Sequence, residues 1–210
     1  MDLKQRISDN KIIVIARKVD QSRLVDFAAA VLAGGIDFIE ITIDQKSEHQ
    51  TFESIALLKE KFGEKLNVGA GTVLCEKQVI AAKESGAQYI ISPNVNPRVI
   101  QKTKESGMIS IPGAFTPTEI CAAYDSGADL VKIFPASLGG PQYIKTLKQP
   151  LSHIPLIVMG GITPDVIKDY LAAGASGFGI GGGIVNKEYI ERGQYHKITA
   201  AAKSYREKII

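Results

Sequence analysis

The sequence predicts an α/β protein that folds as a single TIM (β/α)8 barrel over residues 1–210, and three observations support this prediction. Short runs rich in β-branched residues alternate with longer amphipathic stretches along the whole chain. A glycine recurs after most of the amphipathic stretches, where a helix is expected to end. The length suits one small barrel and is too short for two domains of ordinary size.

The predicted strands are short, and each is bounded by Gly, Pro, Asn or Asp. They span residues 12–17, 38–43, 67–71, 89–92, 108–112, 130–134, 156–159 and 177–180. Apolar residues at helical spacing fill stretches between them, such as 21–33, 48–61 and 76–85. The expected helix-ending glycines are Gly35, Gly63, Gly86, Gly107, Gly127 and Gly174.

Repeated βα units form a parallel sheet with right-handed crossovers, which either closes into a barrel or stays open and doubly wound. We favour closure because the units are near-equal and the composition does not change along the chain. The GxGxxG motif of an open dinucleotide-binding sheet is also missing after the first strand, where the sequence reads Arg17-Lys18-Val19-Asp20.

The composition excludes several classes of protein. With 45% hydrophobic and 22% charged residues and a net charge of +3, the chain is typical of a globular protein with a full core. Its basic residues do not interleave with aromatics, so we expect no nucleic-acid partner. Neither a signal peptide nor a membrane span is indicated. Cys75 and Cys121 lie far apart, which fits a reducing compartment, and we expect a cytoplasmic protein with no membrane partner.

Two ionisable residues are predicted to point into the barrel. In the strand 38–43, isoleucines at 39, 41 and 43 form an apolar face for the helices, so Glu40 and Thr42 face inward. The same alternation turns Lys132 inward in the strand 130–134.

A buried lysine is costly unless it pairs with an acid or loses its proton. Lys132 and Glu40 could therefore form a structural ion pair between two strands. Alternatively, burial lowers the pKa of Lys132, its neutral amine attacks a carbonyl carbon, and Glu40 transfers protons. We favour this catalytic interpretation, because buried ion pairs are often no more stabilising than apolar residues.

Glycine-rich segments follow the last two predicted strands, at 160–164 and 179–183. Such segments expose successive backbone N–H groups that suit an anion, and TIM barrels commonly bind phosphate at these two places. Ordinary turn chemistry is the alternative. The predicted phosphate-binding residues are Gly160, Gly161, Gly181, Gly182 and Gly183. In the segment 69–72, which ends the third strand, the glycines either admit a ligand or form a tight turn.

Metal-dependent chemistry is not indicated. His49, His153 and His196 are scattered, and no pair of them has the spacing of metal ligands. No Ser-His-Asp or Cys-His arrangement is recognisable either. We therefore expect no metal.

Seven short motifs recur in order along the chain. They are Ile39-Glu40-Ile41-Thr42, Val68-Gly69-Ala70-Gly71-Thr72, Ile91-Ser92-Pro93, Ile111-Pro112-Gly113, Val131-Lys132-Ile133-Phe134-Pro135-Ala136, Gly160-Gly161-Ile162 and the glycines at 181–183. With these motifs the chain resembles, nearly from end to end, the 2-keto-3-deoxy-6-phosphogluconate/4-hydroxy-2-oxoglutarate aldolase family, with features of its phosphogalactonate branch.

This resemblance implies a class I, metal-independent and cofactor-free aldolase that forms a homotrimer. Its substrate would be a phosphorylated keto sugar acid: 2-keto-3-deoxy-6-phosphogluconate, cleaved to pyruvate and glyceraldehyde 3-phosphate. Cleavage of 4-hydroxy-2-oxoglutarate to pyruvate and glyoxylate is a further activity that it implies. By family pattern, Lys132 forms the Schiff base, Glu40 is the general acid/base and Thr72 contacts the pyruvyl part. We add Pro93 and Phe134, from the same motifs, as substrate-binding candidates.

Two positions depart from the family pattern. Many phosphogluconate members carry an arginine four residues after the glutamate, where this chain has Asp44. Arg17 is the candidate to hold the substrate carboxylate instead, as in phosphogalactonate-type members, so 2-keto-3-deoxy-6-phosphogalactonate is an alternative substrate. Gly183 stands where some members have serine, which leaves the phosphate to backbone N–H groups.

Two alternatives lie outside the aldolases. In a phosphosugar isomerase or synthase, Lys132 would act as a fixed charge and form no imine. A non-catalytic phosphometabolite-binding barrel would keep the fold and the phosphate loops but release no pyruvate.

Overall fold

All of the predicted strands are present in the computed structural model of the chain, which describes residues 3–209. The sheet has nine parallel strand segments in the order β5-β4-β3-β2-β1-β9-β8-β7-β6. They are β1 (Ile12–Ala16), β2 (Phe38–Thr42), β3 (Asn67–Gly71), β4 (Tyr89–Ile91), β5 (Ile109–Ile111), β6 (Gly113–Ala114), β7 (Val131–Ile133), β8 (Leu156–Met159) and β9 (Gly177–Ile180).

The two ends of this order, β5 and β6, are parts of one strand, the fifth of the eight that were predicted. Pro112 separates them, because proline has no N–H group to donate to a strand ladder. β5 pairs with β4 and β6 pairs with β7, so this interrupted strand closes the sheet. The TIM-barrel prediction is therefore confirmed.

Helices precede the first strand, connect successive strands and follow the last strand, and most of them pack on the outside of the barrel. They are α1 (Leu3–Asn10), α2 (Gln21–Ala33), α3 (Glu48–Phe62), α4 (Glu76–Glu84), α5 (Pro97–Glu105), α6 (Pro117–Asp125), α7 (Gly140–Lys148), α8 (Ile167–Ala172), α9 (Lys187–Glu191) and α10 (Tyr195–Arg206). Each of the predicted helix-ending glycines has a positive φ, between 54° and 101°, as a left-handed helix stop requires. No helix within residues 3–209 combines the length and apolar character that a membrane span needs.

The barrel has two hydrophobic cores, one on each face of the strands. Ile39, Ile41 and Ile43 belong to the outer core, between strands and helices. Phe38 and Tyr89 belong to the inner core, with ring centroids 6.0 Å apart. The alternation predicted for the second strand is therefore confirmed.

Helix α1 was not predicted. Its Ile7 is 1% exposed and joins the inner core, so this helix covers one end of the barrel interior.

Glycines on inward-facing strand positions make room for larger side chains opposite them. A Cβ atom added to Gly69 would lie 2.2 Å from the Tyr89 ring, and one added to Gly179 would lie 2.5 Å from the Met159 side chain. Gly69 and Gly71 lie inside β3 and do not form the tight turn that the sequence left open. Their small size is a requirement of packing inside a narrow barrel.

Candidate active site

A cavity of about 1070 Å³ opens where the strands end at their carboxyl termini, which is where TIM-barrel active sites lie. Its volume is comparable to that of ligand pockets in general. The cavity brings together ten predicted site residues: Glu40, Lys132, Arg17, Thr72, Phe134, Gly160, Gly161, Gly181, Gly182 and Gly183.

Lys132 enters this cavity from the middle of β7. Val131 and Ile133 on either side of it pack in the outer core, which turns the lysine inward as predicted. The residue is 9% exposed, and its Nζ lies 4.6 Å from the centroid of the Phe134 ring. Among residues 3–209, no group accepts a hydrogen bond from this Nζ, and no carboxylate oxygen lies within 4.0 Å of it. The amine is therefore not held in a close structural ion pair.

The surroundings of Lys132 favour its neutral form. Burial lowers the pKa of this lysine and is the largest influence on it, and the nearby charge of Arg17 lowers the pKa further. Glu40 acts in the opposite direction, but burial prevails. A lower pKa enlarges the share of neutral amine, and the neutral amine is the form that attacks a carbonyl carbon.

Glu40 projects into the same cavity from the middle of β2 and is 3% exposed. The hydroxyl of Thr42 donates a hydrogen bond of 2.9 Å to its Oε1 atom. Burial raises the pKa of this carboxyl above its ordinary value, while Lys132, the Thr42 hydroxyl and Arg17 oppose that rise. A carboxyl whose pKa moves toward neutrality can both give and take a proton during turnover.

Gly71 determines where the Glu40 carboxyl can lie. A Cβ atom at this position would be 1.6 Å from Oε1 of Glu40, so any side chain would displace the carboxyl. Because the role predicted for Glu40 is proton transfer, we expect Gly71→Ala to lower turnover by about 10²-fold or more, which is the effect of displacing a proton-transferring group by about 1 Å. Steady-state kinetics measures the loss of turnover. Imine formation is measured separately, because Lys132 is unchanged in this variant.

The matched control is Gly69→Ala on the same face of β3, where the added Cβ atom meets the Tyr89 ring and not the carboxyl. This control should destabilise the fold by about 1–3 kcal/mol as an overpacked core does. Near-normal turnover in Gly71→Ala would contradict the placement of Glu40 described here.

Thr72 and Arg17 lie at the cavity wall, at the ends of β3 and β1. Thr72 has a φ of 59°, which a β-branched residue adopts rarely and at an energetic cost. Strain of this kind concentrates at functional sites. The side-chain amide of Gln45 donates a hydrogen bond of 2.9 Å to the Thr72 carbonyl oxygen and supports this conformation.

Pro93 is the one predicted site residue that does not line the cavity. It is exposed, and a Cβ atom on Gly113 would lie 2.5 Å from its carbonyl oxygen, so its backbone packs closely against β6. Its assignment to substrate binding stays a prediction.

The two glycine loops present unused hydrogen-bond donors to the cavity. Among the described residues, no group of the chain accepts a hydrogen bond from the backbone N–H of Gly161, Gly182 or Gly183. Gly160 and Gly161 have φ values of 94° and 74°, which only glycine adopts easily. Open space lies beside Gly181 and Gly182, where an added Cβ atom would meet nothing within 4 Å. Donors around open space suit an anion.

Several cavity residues escaped the sequence analysis. Met159 faces inward by the alternation along β8, so the same argument that identified Lys132 could have found it. Lys18, Arg23 and Lys187 also line the cavity, together with the acidic Asp20 and Glu191. Tyr205 reaches the cavity from α10, and no sequence pattern marks it.

No group of three or more His, Cys, Asp and Glu side chains that could hold a metal ion occurs within residues 3–209. The cavity instead combines a buried amine, a buried carboxyl and backbone donors for an anion. This combination can form an imine with a keto acid, move protons beside it and hold a phosphate.

Comparison with known proteins agrees with this chemistry. Residues 3–201 match the family model of KDPG and KHG aldolases, where KDPG is 2-keto-3-deoxy-6-phosphogluconate and KHG is 4-hydroxy-2-oxoglutarate. The 2-dehydro-3-deoxy-6-phosphogalactonate aldolase of Escherichia coli strain K12 is 35% identical over 199 residues, which cover 94% of this chain and 96% of that protein. The KHG/KDPG aldolase of the same strain is 32% identical over 193 residues, 91% of this chain and 87% of that protein.

A solved structure described as native KDPGal has a TM-score of 0.85 and 36% identity, covering 94% of this chain and 95% of its own. The family model and these relatives match nearly the whole chain in sequence and fold, so the chain belongs to the KDPG and KHG aldolase family and is a lyase.

Proposed function

We propose that this chain cleaves a 2-keto-3-deoxy-6-phospho sugar acid, with 2-keto-3-deoxy-6-phosphogluconate as the first candidate, to pyruvate and glyceraldehyde 3-phosphate. The observation that carries the proposal is the Lys132 amine, which is buried, lacks a hydrogen-bond acceptor among the described residues and shares a cavity with Glu40. An imine-forming aldolase needs this arrangement, whereas an isomerase or a non-catalytic binding barrel does not.

The first stage forms the imine. The neutral Lys132 amine attacks carbon 2 of the substrate, forming a C–N bond. Glu40, as the carboxylic acid, supplies the proton with which the former carbonyl oxygen leaves as water. This leaves a protonated imine and the Glu40 carboxylate. The imine can accept the electron pair of the neighbouring carbon–carbon bond.

The second stage breaks that bond. The Glu40 carboxylate takes the proton of the 4-hydroxyl, the bond between carbons 3 and 4 breaks, and glyceraldehyde 3-phosphate forms as the electron pair moves into an enamine. Glu40 then returns its proton to carbon 3 of the enamine. Water hydrolyses the resulting imine, which frees pyruvate and the amine, and Glu40 takes up the released proton.

In this mechanism each of the remaining predicted residues that line the cavity has a distinct role. Arg17 would pair with the substrate carboxylate, and Thr72 and Phe134 would contact the pyruvyl part beside Lys132. The loops at 160–161 and 181–183 would hold the phosphate through their unused N–H groups.

The galactonate-derived epimer is a second candidate substrate, and two observations favour it. Asp44 lines the cavity where many phosphogluconate members have arginine, while Arg17 is available for the carboxylate. The 35% identical relative is named for the phosphogalactonate reaction.

The deciding experiment compares kcat/KM for the gluconate-derived and galactonate-derived phosphates and for 4-hydroxy-2-oxoglutarate, with pyruvate release as the assay. We expect at least one of the phosphorylated acids to be cleaved, with turnover unchanged by EDTA. Absence of cleavage of all three, or activity lost to EDTA and restored by a divalent ion, would overturn the proposal.

Arg17 offers a test of the electrostatics. Its charge lowers the pKa of Lys132, so Arg17→Gln should move that pKa toward the ordinary lysine value. A larger share of the amine is then protonated at neutral pH, and imine formation with pyruvate should require a higher pH than in the parent enzyme. The measurement is the yield of borohydride-trapped imine as a function of pH. The pH at which trapping is half-maximal is compared between variants, and the maximal yield is not.

Lys18→Gln is the control for this experiment, because it removes a neighbouring cavity charge that does not contribute to the pKa of Lys132. If this midpoint is unchanged in Arg17→Gln, or moves equally in both variants, the charge of Arg17 does not specifically lower the pKa of Lys132.

We propose in addition that the chain forms a homotrimer in the cytoplasm. The trimer is what the family resemblance implies, and Leu138, an apolar side chain that is 77% exposed, is the candidate for a subunit contact. Both cysteines are free, as expected in a reducing compartment. Light scattering coupled to size exclusion gives the oligomeric state, and a monomer would contradict the trimer.

A further inference from the structure

A tyrosine from the last helix reaches between the two glycine loops. Tyr205 is 2% exposed, and its hydroxyl donates a hydrogen bond of 3.0 Å to the carbonyl oxygen of Ile162 in the first loop. Within residues 3–209 this is the one side-chain hydrogen bond that reaches residues 160–163 or 181–183. Burial, and secondarily Asp165, raise the pKa of this hydroxyl, so it remains a donor around neutral pH.

The same hydroxyl lies against the second loop. A Cβ atom added to Gly183 would be 1.9 Å from Oη of Tyr205 and 2.8 Å from its Cζ. The hydroxyl therefore occupies the space that a side chain at position 183 would need. One hydroxyl group contacts both loops, binding the first and packing against the second.

The second loop holds its own shape through backbone bonds. The N–H groups of Ile184 and Val185 both donate to the carbonyl oxygen of Gly181, at 3.0 and 2.9 Å. These bonds fix the turn. The pairing of β8 with β9 holds the two loops together where they begin, next to Met159 and Gly179. Beyond the strands, Tyr205 supplies a side-chain contact between the loops.

We propose that Tyr205 is a positioning residue for the substrate phosphate. By holding the two loops at a fixed separation, it lets N–H groups from both of them converge on one phosphate. This inference rests on the proposed function, in which these loops bind the phosphate.

The test is Tyr205→Phe, which keeps the ring and removes the hydroxyl. We expect KM for the phosphorylated substrate to rise about 3- to 10-fold, the effect of one lost hydrogen bond. The kcat for that substrate, the rate of borohydride trapping with pyruvate, and kcat/KM for phosphate-free 4-hydroxy-2-oxoglutarate should stay within about twofold.

Tyr170→Phe is the matched control. Tyr170 is also 2% exposed, and its hydroxyl donates a bond of 3.1 Å to the carbonyl oxygen of Ala136, but the residue does not line the cavity. It should lose similar stability without the rise in KM.

Binding of inorganic phosphate, measured by calorimetry, separates this inference from the proposed function. If the parent enzyme binds phosphate and Tyr205→Phe binds it about 3- to 10-fold more weakly, the inference holds whichever sugar acid is cleaved. Unchanged phosphate affinity in Tyr205→Phe, or an equal loss for phosphorylated and phosphate-free substrates, would overturn it.

Discussion

Replacing Lys132 with alanine should reduce cleavage by about four orders of magnitude or more, because the reaction loses its covalent intermediate. The measurement is pyruvate release under saturating substrate. Stability should be unchanged or slightly raised, since the removed amine is buried and has no hydrogen-bond acceptor among the described residues. A thermal unfolding curve checks this second expectation and shows that the inactive protein is folded.

Lys132→Arg separates a nucleophile from a fixed charge. A guanidinium keeps the positive charge but stays protonated, so it cannot attack a carbonyl carbon. We expect this variant to be as inactive as the alanine variant. Substantial turnover in Lys132→Arg would mean that the residue acts only through its charge.

Glu40→Gln should lower turnover by about two to four orders of magnitude, which is the contribution of a general acid/base. The glutamine side chain has nearly the same shape, so the hydrogen bond from Thr42 can be retained while the proton-carrying group is lost. Imine formation with pyruvate should persist in part. Steady-state turnover and single-turnover trapping, measured on the same preparation, distinguish the two effects.

Turnover close to that of the parent enzyme in Glu40→Gln would show that this residue does not carry the proton transfers assigned to it. Equal losses of trapping and turnover would instead place the role of Glu40 at the formation of the imine.

The alternation of side chains along the strands carried most of the prediction. The apolar side chains at 39, 41 and 43 pack against the helices, and because side chains alternate along a strand, Glu40 must then point into the barrel. The same argument placed Lys132. The glycines after the amphipathic stretches predicted the helix ends because a left-handed residue there is nearly always glycine. These local patterns predict the fold well because the barrel repeats one βα unit, so the same rule applies to each strand and helix.

Contacts between distant segments could not be predicted in this way. Gly71 gives room to the Glu40 carboxyl across two neighbouring strands, and only their register, with Thr42 opposite Gly71, reveals it. Tyr205 meets Gly183 and Ile162 through the docking of the last helix, which no periodicity encodes. Pro112 was predicted to end the fifth strand. In the structure this strand continues beyond Pro112 as β6, which closes the barrel by pairing with β7.

The proposed function depends on a covalent bond between the Lys132 amine and the keto acid. Incubation of the parent enzyme with pyruvate and borohydride, followed by peptide mapping in a mass spectrometer, detects this bond. We predict a reduced pyruvyl adduct on Lys132 and on no other lysine. An adduct on a different lysine, or no adduct while the enzyme still releases pyruvate from substrate, would show that Lys132 is not the nucleophile.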